Sequence, residues 1–109
     1  MRDVRDAPDV IHHQRDPDYA EWVRSRPCLL ARRSSGLDAC SGPVQAAHVK
    51  SRGAGGGDRG NLIPLCHRHH HDQHQHGIHT FAKRYGLDLT FEATILTEKY
   101  RNLNDGIPF

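Results

Sequence analysis

The chain has 109 residues, 36% of them hydrophobic, and its 15 basic and 13 acidic side chains leave a net charge of only +2. That length suits one domain with a small core, and that charge is too weak to announce a nucleic-acid partner by itself. No stretch approaches the roughly 20 apolar residues of a membrane span and the N-terminus lacks the apolar core of a secretory signal, so a cytoplasmic protein with no membrane partner is expected.

Three cysteines and ten histidines stand out against this background. An odd cysteine count without a secretory signal argues against a disulfide framework and for thiolates used as metal ligands. A bound metal is the expected staple for so small a core, because its binding free energy becomes folding free energy when the ligands are disordered beforehand.

Residues 1–15 mix charges with Pro8 and show no sustained period, which reads as a flexible tail; one domain is expected over 16–103, with a short tail over 104–109. Asp16-Pro17 opens a helix, with Asp16 as cap, Pro17 at the first position and Tyr19, Trp22 and Val23 on one face, and Pro27 closes it. Between Cys28 and Cys40 the polar run Arg32-Arg33-Ser34-Ser35-Gly36 reads as a loop. Val44 to Val49 predicts a short strand, Gly53 to Asp58 a loop, and Leu62-Ile63 the returning strand of a hairpin.

Pro64 is expected just ahead of a helix that runs from Leu65 or Cys66 to His76 and stops at Gly77. A further helix is predicted over Thr80 to Tyr85, ended by Gly86. Thr90 is then expected to cap a last helix carrying Phe91, Ile95 and Leu96 toward Tyr100.

On a helix each residue advances about 100 degrees, so Cys66 and His69 fall on one face and His70 and His74 on the next. One short helix can therefore serve two metal sites. Cys66 and His69, three apart at a helix start, match half of a tetrahedral structural zinc site, and Cys28 with Cys40 supply the other half. His70 and His74, without a thiolate beside them, suit a harder catalytic cation with open positions.

At these positions the chain resembles the HNH nuclease superfamily, whose fold is a ββα-metal core. His48-Val49, Gly55-Gly56-Gly57-Asp58, Asn61-Leu62, Leu65-Cys66 and His69-His70 fall in order into the slots of the HNH pattern, and the intervals from Asn61 to His70 and from His70 to His74 are those of colicin-type members. The lead-in Tyr19-Trp22-Val23-Arg24-Pro27-Cys28 and the stretch from Gly77 through Phe81 and Tyr85 to Leu89 are similar to small phage and prophage members, so the resemblance spans roughly residues 16 to 100. It implies an α+β domain: a hairpin and a helix around the catalytic metal, flanked by N- and C-terminal helices and stabilised by zinc.

The same resemblance implies a metal-dependent DNA endonuclease leaving 5′-phosphate and 3′-hydroxyl ends. His48 would be the general base, Asn61 would orient it, and His70 and His74 would hold one divalent cation, Mg, Mn, Ni or Zn. No small-molecule cofactor is expected. Lys50, Arg52, Arg59 and Arg68 surround the motif and are the expected phosphate contacts. Two departures from the family pattern stand out: Ala47 occupies the slot where relatives carry a metal-binding Asp or His, and Ala31 replaces the second thiolate of a Cys-x2-Cys knuckle.

Three other functions compete with the nuclease for the same residues. A non-enzymatic zinc module that binds nucleic acid would keep the fold and lose the activity, and Ala47 is the feature that favours it; a His-rich metal carrier would bind several equivalent metals without depending on Asn61. A zinc nucleoside deaminase is disfavoured because no Glu stands two residues after His48 and there is no Pro-Cys-x2-Cys.

Overall fold

A computed structural model describes residues 15–33, 36–51 and 57–104. The proposed N-terminal tail, apart from Arg15, the glycine run from Gly53 to Gly56 and the residues after Asn104 lie outside the described residues. The order of elements is α1 (Pro17–Arg24), a 3-10 turn (Gly36–Asp38), β1 (Val44–His48), β2 (Leu62–Cys66), α2 (His67–His76), α3 (Ile78–Tyr85) and α4 (Leu89–Asn104). This is a small α+β arrangement, a hairpin followed by helices, and no helix among the described residues is long and apolar enough to cross a membrane.

α1 begins as its sequence requires: the Asp16 carboxylate accepts the Tyr19 N–H at 3.2 Å and Pro17 fills the first turn. β1 and β2 pair antiparallel, with Val44 opposite Cys66 and His48 opposite Leu62. Pro64 lies inside β2 rather than ahead of a helix, and Leu65 and Cys66 also belong to the strand. The reason is local. The Pro64 carbonyl accepts the Leu29 N–H at 2.9 Å, on the edge away from β1. A residue's N–H and C=O leave a strand on the same edge, so the N–H that proline lacks is one the hairpin ladder does not use.

Every residue of β2 is buried, because both faces of the hairpin are covered. Ala47, Ile63 and Leu65 face a cluster containing Cys28, Leu30, Phe81, Leu89 and Ala93. Ala46 and Leu62 face another built from Tyr19, Val23 and Tyr100. α1 and the end of α4 thus close one side, while α3 and the start of α4 close the other.

Cys66 is the N-cap of α2, and Gly77, at φ +87°, separates α2 from α3. α3 therefore starts at Ile78, before the expected Thr80. α4 is capped by Asp88, whose carboxylate accepts the Phe91 N–H at 3.1 Å, so Thr90 lies within the helix instead of capping it.

Candidate metal centres and groove

Cys28 follows α1, Cys40 follows the 3-10 turn, Cys66 ends β2, and His69 lies in the first turn of α2. Their ligand atoms all lie within 4.8 Å of one another, so the group is able to hold a metal ion. His69 Nδ1 is 3.8, 3.7 and 3.1 Å from the sulfurs of Cys28, Cys40 and Cys66. Tetrahedral zinc with ordinary Zn–S and Zn–N bonds sets that separation at about 3.6 Å.

The tautomer agrees with this. His69 Nε2 lies 2.9 Å from the Asp38 carbonyl, an acceptor only, so it donates its proton there and Nδ1 keeps the lone pair that faces the sulfurs. Tyr85 donates its hydroxyl to the Asp38 carboxylate at 2.7 Å, and its ring meets that of His69 nearly at right angles. Burial, followed by that carboxylate, pushes the Tyr85 hydroxyl up to about 12.

The thiols differ. Burial pushes Cys28 up to about 12, the cost of placing a lone thiolate in an apolar site. Burial is the largest single influence on Cys66 and raises it, but the backbone N–H groups of His69 and Ser41 and the thiols of Cys40 and Cys28 together outweigh it and hold this thiol below its ordinary value. Cys40 is the exposed member of the group.

His48, His70 and His74 line one open groove of about 1200 Å³, walled by β1, α2, α3 and the start of α4. His70 and His74 turn their Nε2 atoms toward each other at 3.1 Å, and Gln45 Oε1 lies 2.8 Å from His70 Nδ1. An amide oxygen only accepts, so the His70 proton sits on Nδ1 and Nε2 keeps its lone pair. Burial first, then the neighbouring His74, His67 and His48, holds His70 below the ordinary imidazole value and favours its neutral, ligating form. These two donors suit a divalent cation with open positions.

Asn61 does not reach the His48 ring. Its side chain accepts the Lys50 N–H at 2.7 Å and donates to the carbonyls of Lys50 and Gly57, both at 2.8 Å. It clasps the two ends of the hairpin loop, and so fixes the backbone just after His48. The contact on the His48 ring is Asp58, whose Oδ1 is 3.0 Å from Nε2.

Of the expected phosphate contacts, Lys50 lines the groove and Arg52 lies outside the described residues. Arg59 is held elsewhere: its Nε donates to Asp16 Oδ2 at 2.6 Å, and its guanidinium lies over the rings of Tyr100 and Tyr19. Arg68 does not line the groove; its N–H binds the Ser41 carbonyl beside the Cys3His group.

The sequence gives no individual role to Asp58, which stands only as part of the glycine loop, nor to Gln45, Gln73 or His79. Gln73 and His79 line the groove, and the buried Gln73 Oε1 has no partner among the described residues. Helical spacing from His70 was a usable signal for Gln73, three residues on, and strand alternation from Ala47 was one for Gln45. No family model, curated protein or solved structure matches the chain.

Proposed function

We propose that the protein is a metal-dependent DNA endonuclease of the HNH type. One observation carries the reading: a histidine at the end of β1 opens onto the same groove as a pair of helix histidines with converging Nε2 atoms. His48 takes a proton from water as its oxygen bonds to the scissile phosphorus. The bond to the 3′ oxygen breaks, the electron pair leaves with that oxygen, and a proton from solvent completes the 3′-hydroxyl, leaving a 5′-phosphate. A neutral imidazole suits the first step near pH 7. His70 and His74 would hold the divalent cation, which when bound supplies positive charge beside the phosphate. Lys50 adds a cation at the groove wall for the DNA backbone.

The Cys3His group is the structural zinc site in this reading, and it anchors the start of α2, from which His70 and His74 project. A plasmid cleavage assay across Mg, Mn, Ni and Zn, run beside His48→Ala, tests the proposal. Metal-dependent nicking that falls by roughly 10²- to 10⁴-fold in the variant is the expected result.

Ala47, fully buried among apolar side chains where the HNH pattern has a metal ligand, favours a second reading: a zinc-stabilised module that binds nucleic acid without cutting it. Equal behaviour of the parent and His48→Ala with every metal decides for that reading.

A further inference from the structure

Asp58 joins three parts of the chain. Its Oδ1 lies 3.0 Å from His48 Nε2, and its Oδ2 accepts the Asp16 backbone N–H at 2.6 Å, just ahead of α1. The residue is 6% exposed, while the His48 side chain keeps 30% of its surface open. The carboxylate is therefore fixed from behind and the imidazole opens forward.

A carboxylate can only accept, so the proton it shares with neutral His48 sits on Nε2 and the lone pair is left on Nδ1. We infer that Asp58 is a positioning residue for His48, fixing the ring and its tautomer so that Nδ1 is the nitrogen that receives the proton from water. This rests on the nuclease reading above and deepens it. After proton transfer both ring nitrogens carry hydrogen, and the Asp58 carboxylate lies against the positive ring.

The second contact makes the inference sharp. The Asp16 N–H is a fixed backbone donor. In Asp58→Asn the amide oxygen must face it, because an NH2 group there would meet another donor, so the NH2 turns toward His48. Nε2 must then carry the lone pair and Nδ1 the proton. Asp58→Asn thus reverses the tautomer while nearly preserving shape. Asp58→Glu keeps an acceptor-only group near the ring.

The test is ¹⁵N NMR of the imidazole rings in the full chain loaded with zinc, at alkaline pH, together with plasmid cleavage. In the parent, His48 should show a protonated Nε2 and a bare Nδ1. Asp58→Asn should exchange the two and lower kcat by about 10²- to 10⁴-fold with little change in KM. Asp58→Glu should keep the parent tautomer and recover part of kcat.

A parent ring protonated on Nδ1 overturns the inference, even if no Asp58 variant folds. So does an Asp58→Asn protein that keeps the parent tautomer and rate. Tautomer exchange in a protein whose parent cuts no DNA upholds Asp58 as the positioning group and overturns the nuclease reading alone.

Discussion

His70 and His74 hold their Nε2 atoms 3.1 Å apart, and Gln45 on the neighbouring strand accepts the proton from the far side of the His70 ring at 2.8 Å. The group that orients the His70 ring thus comes from β1 rather than from α2. Gln45→Leu should keep the fold and the zinc, yet weaken binding of Mn or Ni by roughly 10- to 100-fold, the usual effect of losing a partner behind a ligand. Titration calorimetry on the zinc-loaded protein measures this. His70→Ala should lose the site altogether, and added metal should restore cleavage in Gln45→Leu more readily than in His70→Ala.

The Cys3His group ties α1's exit, the 3-10 turn, β2 and α2 to one point. One zinc per chain is expected by elemental analysis, and a strong chelator should unfold the domain because its apolar clusters are small. Cys66→Ser should lower the melting temperature more than Cys40→Ser, since Cys66 is buried while Cys40 is exposed. Equal melting of the parent with and without chelator is the outcome against a structural metal.

Gly42 shows why the approach to β1 has no room for a side chain. Its φ is +84°, and a Cβ there would stand 2.6 Å from the Cβ of His67. The flanking carbonyls of Ser41 and Pro43 accept the N–H groups of Arg68 and His67, so this backbone seats the first turn of α2. Gly42→Ala should cost about 1 to 3 kcal/mol of stability, from the positive φ and the contact together. Denaturant unfolding of the zinc-loaded protein checks it.

The pairings of Cys66 with His69 and of His70 with His74 were legible in the sequence because helical spacing is a local rule that holds whatever the rest of the chain does. The hairpin was legible from its apolar runs and glycine loop. The start of α2 was misplaced because Pro64 commonly opens helices, and only pairing with β1 and the carbonyl bond to Leu29 reveals a strand position that spares its N–H. Asp58 and Gln45 escaped because their roles depend on the register of β1 against β2 and on which way a loop folds. The surroundings of Arg59 were hidden for a related reason: its partner Asp16, the cap of α1, and its aromatic bed, Tyr19 and Tyr100, are far away in sequence.

That placement separates two cations that look alike in sequence. Lys50→Ala should leave the melting temperature nearly unchanged and reduce the salt dependence of DNA binding by about one phosphate contact. Arg59→Ala should do the reverse, lowering stability by about 1 kcal/mol through loss of the stacking and of a half-exposed pair with Asp16, with a smaller effect on the salt slope. Fluorescence anisotropy of a labelled duplex across a salt series, beside thermal melts of both variants, distinguishes them.

Ala47 is the position at which fold and proposed chemistry compete. Its side chain is fully buried opposite Ile63, and it shares a strand face with Gln45, which reaches His70. An aspartate at 47 therefore points from an apolar cluster toward the side of the hairpin where α2 lies. Without a cation, Ala47→Asp buries a carboxylate and should cost at least about 1 to 3 kcal/mol. With Mn or Ni present, the same carboxylate can join His70 and His74 as a third ligand, and binding to the folded state alone adds stability by mass action. The melting temperature of Ala47→Asp should consequently rise more steeply with added Mn or Ni than that of the parent, and cleavage should rise with it. If both proteins respond to the metal equally, position 47 is a core position only, and the cation site uses two protein ligands.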